Sequence, residues 1–340
     1  MNRKILVIYT GGTIGMVKDY KTGALTPVEN TSFFESIPEL QKMNCRVELT
    51  SIKKTKDSSS ILPSDWLSFG SLIAKKYELY DGFVLLHGTD TMAYTASALS
   101  FLFRNLAKSV VLTGSQLPSG LYRSDAKDNI INAIEIASSY KEGKATVPEV
   151  CLCFENNLFR GNRAHKSNVE HFNAFQSINY PSLAHIGVKL KFNKSFILPF
   201  PDDSFKFHNQ IDTNVAVLKI FPGINKETVN GILSNNRIKG VVIESFGSGN
   251  IPSSPWLIKA IKSAVEEGKK IVNISQCSGG SVDQTKYSSG YALEKAGVIS
   301  GFDMTLEAAL TKMMFLLGNA YESSSFKELM QRCLRGEHSH

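Results

Sequence analysis

Lys4-Ile5-Leu6-Val7-Ile8-Tyr9 runs directly into Thr10-Gly11-Gly12-Thr13-Ile14-Gly15. A short apolar run closed by glycines reads as a buried strand followed by a tight turn. The two glycines let the backbone turn sharply and approach a neighbour closely, so the Thr13 hydroxyl stands at the strand's carboxyl end. In an open α/β sheet that is the end where ligands bind. Thr13 is open to three readings: a nucleophile, a phosphate contact or a turn residue. The stretch lacks the lysine of a Walker A loop and the third spaced glycine of a dinucleotide fingerprint.

The pattern recurs outward from there. Apolar runs of strand length occupy 46–52, 82–87, 109–113 and 150–154, and segments of helical period occupy 64–77, 91–105 and 124–140, the first with Ser64 as its expected cap. Strands alternating with helices predict βαβ units and a mostly parallel sheet. The alternation lapses over 187–213, where Lys189 to Lys194 reads as irregular or hairpin structure, and resumes with strands at 215–221, 240–246 and 270–275. Helices are expected at 227–235, 255–267, 306–317 and 324–334. The expected organisation is a larger N-terminal α/β domain (1–186), a linker (187–213) and a smaller C-terminal α/β domain (214–340).

Bulk properties narrow the class. A chain of 340 residues suggests about two domains. No apolar run is long enough to cross a membrane, and the N-terminus has no secretory signal pattern. Cys45, Cys151, Cys153, Cys277 and Cys333 are odd in number and carry no CxxC spacing, so neither a zinc site nor a redox motif is expected. A reducing cytoplasm fits. The net charge of +7 is spread along the chain apart from Lys53-Lys54-Thr55-Lys56, without the aromatic interleaving of a single-strand binder. Neither a nucleic-acid nor a membrane partner is expected.

Two more strands end as the first does, in His87-Gly88-Thr89-Asp90-Thr91-Met92 and in Thr113-Gly114-Ser115-Gln116. Asp90 has a plain reading as a helix N-cap and a sharper one: with Thr89 it forms a hydroxyl–carboxylate pair able to pass a proton or hold an amino group. Asp57-Ser58-Ser59-Ser60 is either a polar turn or a site offering hydroxyls and backbone N–H groups to a carboxylate. Arg160-Gly161-Asn162-Arg163-Ala164-His165-Lys166 is either a solvated charge run or the source of a cation, Lys166, that perturbs Thr89 or Asp90. His87, after an apolar strand, reads as a satisfied core histidine. Neither a Gly-x-Ser-x-Gly elbow nor HExxH occurs; no metal or cofactor is implied.

Together these residues resemble the bacterial-type L-asparaginases (the asparaginase/glutaminase family), cytoplasmic type I branch. Residues 9–16 and 87–99 carry the resemblance, supported by 113–116, Arg160 to Arg163 with Lys166, and 301–305. It implies hydrolysis of L-asparagine to L-aspartate and ammonia through a threonyl acyl-enzyme. Thr13 would be the nucleophile, and Thr89, Asp90 and Lys166 the second hydroxyl–acid–lysine group. Asp90 would hold the substrate α-ammonium, and Asp57, Ser58 and Ser59 match the segment that grips the α-carboxylate. The Thr89 N–H would meet the oxyanion.

Departures from the family pattern accompany the resemblance. The loop tyrosine that would activate Thr13 falls near Ala24 or Leu25; Tyr20 and Tyr287 are the substitutes, with Tyr287 slightly favoured. An asparagine-sensing site, with His165 among its expected residues, keeps Cys277 but has Glu244 where an arginine is expected, so asparagine activation is expected to be lost or altered. Asn250 is implied on the substrate side, supplied by a neighbouring subunit of a dimer or a dimer-of-dimers tetramer. Two other functions fit the same loops: an amino-acid-binding sensor without turnover, and the ammonia-releasing subunit of a tRNA-dependent amidotransferase. The intact Thr13, Thr89, Asp90 and Lys166 weigh against the first; a catalytic strand starting at Lys4 weighs against the second.

Overall fold

The computed structural model describes residues 2–18, 25–27, 37–319 and 325–340. Two compact units divide the chain: Met1–Ser177 with Pro181–Asn209, and Ile178–Tyr180 with Gln210–His340.

In the first unit the strands are β1 (Arg3–Tyr9), β2 (Cys45–Ser51), β3 (Gly82–Leu86), β4 (Ser109–Thr113), β5 (Val150–Phe154), β6 (Asn157–Arg160), β7 (Ala184–Ile186) and β8 (Leu190–Phe192). They form one sheet in the order β8-β7-β6-β5-β4-β3-β1-β2. β2, β1, β3, β4 and β5 run parallel, and β5 to β8 are antiparallel neighbours. β3, β4 and β5 are buried at every position, as expected of parallel strands covered on both faces. Cys151 and Cys153 lie in that interior, where burial raises both thiol pKa values, Cys153 to about 12.

The principal helices are α1 (Pro63–Lys76), α2 (Met92–Leu102) and α3 (Ala126–Ser138). Ser64 does not cap α1. Pro63 opens the helix, and the Asp65 carboxylate accepts from the Leu62 N–H at 2.7 Å. A proline suits that position because the N–H it lacks would have no partner in the first turn.

Part of the segment 189–194, expected as irregular or hairpin structure, pairs into the sheet. Leu190–Phe192 is its edge strand. The following segment is tied in by a buried ion pair. Arg160 Nε donates to Glu149 Oε2 at 2.6 Å, while Glu149 Oε1 accepts from the Leu198 N–H at 2.8 Å.

The second unit has a parallel sheet of β9 (Val215–Lys219), β10 (Gly240–Ser245), β11 (Lys270–Ser275) and β12 (Ile299–Ser300), in that order. Helices α4 (Lys226–Leu233), α5 (Pro255–Glu266), α6 (Ser288–Lys295), α7 (Leu306–Gly318) and α8 (Phe326–Gln331) accompany it. Its core includes Val241, Ile243, Leu257, Ile261 and Ile271. Among the described residues no helix is long and apolar enough to cross a membrane.

Candidate active site

Four loops leave the first sheet from one row. Tyr9 is level with Ser51 on one side and Leu86 on the other, and Leu86 is level with Thr113. The loops after β1, β2, β3 and β4 therefore begin side by side at the carboxyl edge. β2 and β3 flank β1 on opposite sides, so the topology switches direction there, the place where open α/β sheets leave a crevice.

These loops pack backbone against backbone, which explains their glycines. Gly11 (φ 117°) and Gly12 (φ 86°) are left-handed, a conformation that costs other residues free energy. A Cβ on Gly11 would overlap the Lys56 carbonyl oxygen, and one on Gly12 would overlap Gly88 Cα. The Lys56 N–H donates to Thr10 O at 3.1 Å, and Thr10 Oγ1 donates to Leu86 O at 2.9 Å. Thr13 opens the single turn Thr13–Gly15 beyond this junction.

Asp90 is not the cap of α2. The cap position belongs to Thr91, whose Oγ1 donates to Ser58 O at 2.7 Å. Asp90 Oδ1 instead accepts from Lys166 Nζ at 2.7 Å, and the same ammonium donates to Thr89 Oγ1 at 2.8 Å. The Thr89 hydroxyl donates onward to Gln116 Oε1 at 3.3 Å. Gln116 is held in place by Nε2, which donates to the Val169 and His171 carbonyls at 3.1 Å each. The lysine side chain is 14% exposed and the aspartate 60%, so a shielded cation meets a carboxylate open to solvent. An ammonium so close favours the deprotonated form of the hydroxyl, and the exposed carboxylate is free to meet a cationic group.

Lys166 reaches this position from the short strand His165–Lys166, paired with Phe175–Gln176. The basic run before it is not solvated: Arg160 and Arg163 are each 3% exposed. Asp57 caps the turn Ser58–Ser60, its Oδ1 accepting from the Ser59 hydroxyl at 2.5 Å and the Ser59 N–H at 2.9 Å. These bonds, the hydroxyl's first, hold the Asp57 carboxyl below its ordinary pKa. Just before it, Lys56 Nζ is clasped by both oxygens of Asp65 at 2.8 and 2.7 Å.

Asn250, Tyr287, Glu244 and Cys277 belong to the second unit. Asn250 Oδ1 accepts from Ser289 Oγ at 3.0 Å, Tyr287 is a half-exposed residue at the start of α6, and Glu244 lies 3.9 Å from Lys219 Nζ. Cys277 and His165 are exposed. Tyr20 lies outside the described residues, although Met16–Lys18 and Leu25–Pro27 on either side of it pair antiparallel. His87 is fully buried with both ring nitrogens engaged, as its sequence context predicts. Sequence reasoning assigns no role to Gln116, Lys56 or Asp65. Gln116 ends the Thr113-Gly114-Ser115-Gln116 stretch, but only its hydrogen bonds reveal what it does. Among the described residues, no group of three or more His, Cys, Asp or Glu side chains is placed to hold a metal ion.

The chain belongs to the asparaginase family: residues 4–198 match the family model "Asparaginase, N-terminal" and residues 214–330 the "Glutaminase/Asparaginase C-terminal domain". It is 37% identical to L-asparaginase 1 of Escherichia coli strain K12 over 98% of each chain. It is 38% identical to L-asparaginase I of Vibrio cholerae O1 biovar eltor, whose solved structure it matches with a TM-score of 0.86 over 100% of both chains. It is also 38% identical to the human 60 kDa lysophospholipase, over 98% of this chain and 61% of that protein. The expected α/β class and two-domain asparaginase fold are thereby shown.

Proposed function

We propose that the chain hydrolyses L-asparagine to L-aspartate and ammonia, with L-glutamine a poorer substrate. The observation that carries this reading is the Lys166 ammonium joining Thr89 Oγ1 and Asp90 Oδ1 at the sheet edge where Thr13 begins its turn. Relatives named L-asparaginase at 37–38% identity over the whole length support the reaction class.

Thr13 attacks the side-chain amide carbonyl of the substrate. The developing oxyanion is met by the Thr89 N–H, the amide C–N bond breaks, and ammonia leaves from a threonyl ester. Water activated through Thr89 and Lys166 then releases aspartate and restores the hydroxyl. Asp90 receives the α-ammonium and residues 57–59 the α-carboxylate, with Asn250 contributed by a neighbouring subunit of a dimer or tetramer. A threonine hydroxyl is a weak nucleophile and needs a base; Tyr287 takes that role ahead of Tyr20, and the two Tyr→Phe variants distinguish them by kcat. Glu244 cannot pair with a ligand carboxylate as a guanidinium would, so activation by asparagine at a second site is lost or altered. A cytoplasmic enzyme fits the cysteine usage.

The test is ammonia release by the purified protein from asparagine and glutamine, with Thr13→Ala alongside. Asparagine is hydrolysed, and the variant is at least about a hundredfold slower. No ammonia from either amide would favour an amino-acid-binding sensor. Release only with charged tRNA and a partner would favour an amidotransferase subunit.

A further inference from the structure

A buried chain of hydrogen bonds runs from α1 to the backbone of the Thr89 loop. Trp66 Nε1 on α1 donates to Thr95 Oγ1 on α2 at 3.1 Å, Thr95 Oγ1 lies 2.9 Å from His87 Nε2, and His87 Nδ1 lies 2.7 Å from Gly88 O. Trp66 is 5% exposed, and Thr95 and His87 are fully buried.

The proton positions follow from the partners. Burial pushes the His87 pKa down to about 4, so at neutral pH the ring carries a single N–H. Were it on Nε2, Nδ1 and the Gly88 carbonyl would be two acceptors 2.7 Å apart with no proton between them. The proton is therefore on Nδ1, and Nε2 accepts. An indole N–H only donates, so the Thr95 oxygen accepts from Trp66 and gives its own proton to His87. Every member is satisfied in one arrangement only.

The Gly88 carbonyl shares a trans peptide plane with the Thr89 N–H. Gripping the oxygen therefore fixes the direction of the N–H and points it away from the ring. Gly88 is confined on its flanks as well: a Cβ there would lie 2.6 Å from Ser58 Oγ and 3.3 Å from Gly12 Cα.

We propose that Trp66, Thr95 and His87 form a positioning relay that holds the Thr89 N–H in place to receive the oxyanion, with His87 never touching substrate. The inference rests on the amidohydrolase reading above. A donor aimed in advance does not have to reorganise as charge develops, which is where such groups exert their effect.

Two isosteres separate the ring's functions. His87→Asn offers an amide N–H near the place of Nδ1, and His87→Gln an amide oxygen near the place of Nε2. His87→Gln is expected to lower kcat at least about thirtyfold with KM within about threefold, and His87→Asn to keep kcat within about fivefold. Thr95→Ser is expected to behave like the parent, and Thr95→Val to lose about tenfold in kcat. Equal losses in the Asn and Gln variants, or full kcat in His87→Gln, would overturn the relay. Nitrogen-15 NMR of the unmodified protein at pH 7 gives an independent reading. An Nδ1–H tautomer for His87 is expected; an Nε2–H tautomer or an imidazolium sinks the relay whether or not asparagine is turned over. Failure of the unmodified protein to release ammonia from any amide removes the amidohydrolase reading, and the relay's catalytic purpose with it.

Discussion

A single ammonium, Lys166 Nζ, joins the side chains of Thr89 and Asp90, 76 to 77 positions earlier in the chain. The residue types at these places are legible in the sequence, and the resemblance implies their meeting; which atoms pair is not legible. Asp90 has the composition of a cap, and only the offset of α2 to Met92 frees its carboxylate. His87 shows the same limit. Its burial is readable from the apolar strand before it, but its tautomer depends on Thr95 and Trp66, contributed by two helices. Burial holds its folded pKa near 4 against the attraction of Asp57 and Asp65, whereas an unfolded histidine titrates near 6.5. Between those values the unfolded chain binds a proton that the folded one refuses, so stability falls as pH drops from about 6.5 to about 4. The loss from this residue is about 3 kcal/mol. Denaturant unfolding across that range checks it; His87→Asn should flatten the dependence, and an equal fall in both proteins would count against it.

Elements were readable in proportion to their regularity. Parallel strands buried on both faces are continuous apolar runs, so β1 and β3 to β5 stand out. β8 does not: Lys191 interrupts a three-residue edge strand, and edge strands need no apolar alternation on both faces. Helix starts were less readable because Pro63 and Asp65, not Ser64, open α1. In the second unit, α7 is held to the chain's last residues by a device no periodicity discloses. Lys312 Nζ is fully buried, 2.5 Å from Glu337 Oε1, and donates to the carbonyls of Met330 at 2.8 Å and Arg332 at 2.7 Å. Its partners' attraction keeps the Glu337 carboxyl below its ordinary pKa despite burial. Lys312→Met leaves that carboxylate buried without its cation and should cost about 3–5 kcal/mol. Replacing both residues by apolar ones of similar size should cost less. Equilibrium unfolding of the single and double variants checks the ordering.

At the scale of the whole molecule, the proposed loss or alteration of asparagine activation is a statement about the rate curve. Glu244 occupies the position of the expected arginine, and its carboxylate lies 3.9 Å from Lys219 Nζ on the neighbouring strand. The dependence of rate on asparagine is expected to be hyperbolic. A clearly sigmoidal curve that Glu244→Ala abolishes would overturn the proposal, because cooperativity would then depend on the residue said to have removed it.

Sequence alone determined the class of fold, the two-part organisation and the family, because apolar runs ending in Gly-Thr are local patterns that survive without coordinates. It also supplied the candidate site side chains, Thr13, Thr89, Asp90 and Lys166. The tertiary structure alone decided which of their atoms pair, and how closely. Strand register aligns Tyr9, Ser51, Leu86 and Thr113 in one row, and close backbone packing at Gly12 and Gly88 admits no side chain between the loops. Hydrogen-bond direction, which assigns the His87 proton and aims the Thr89 N–H, belongs to groups brought together by folding. No one-dimensional pattern contains it.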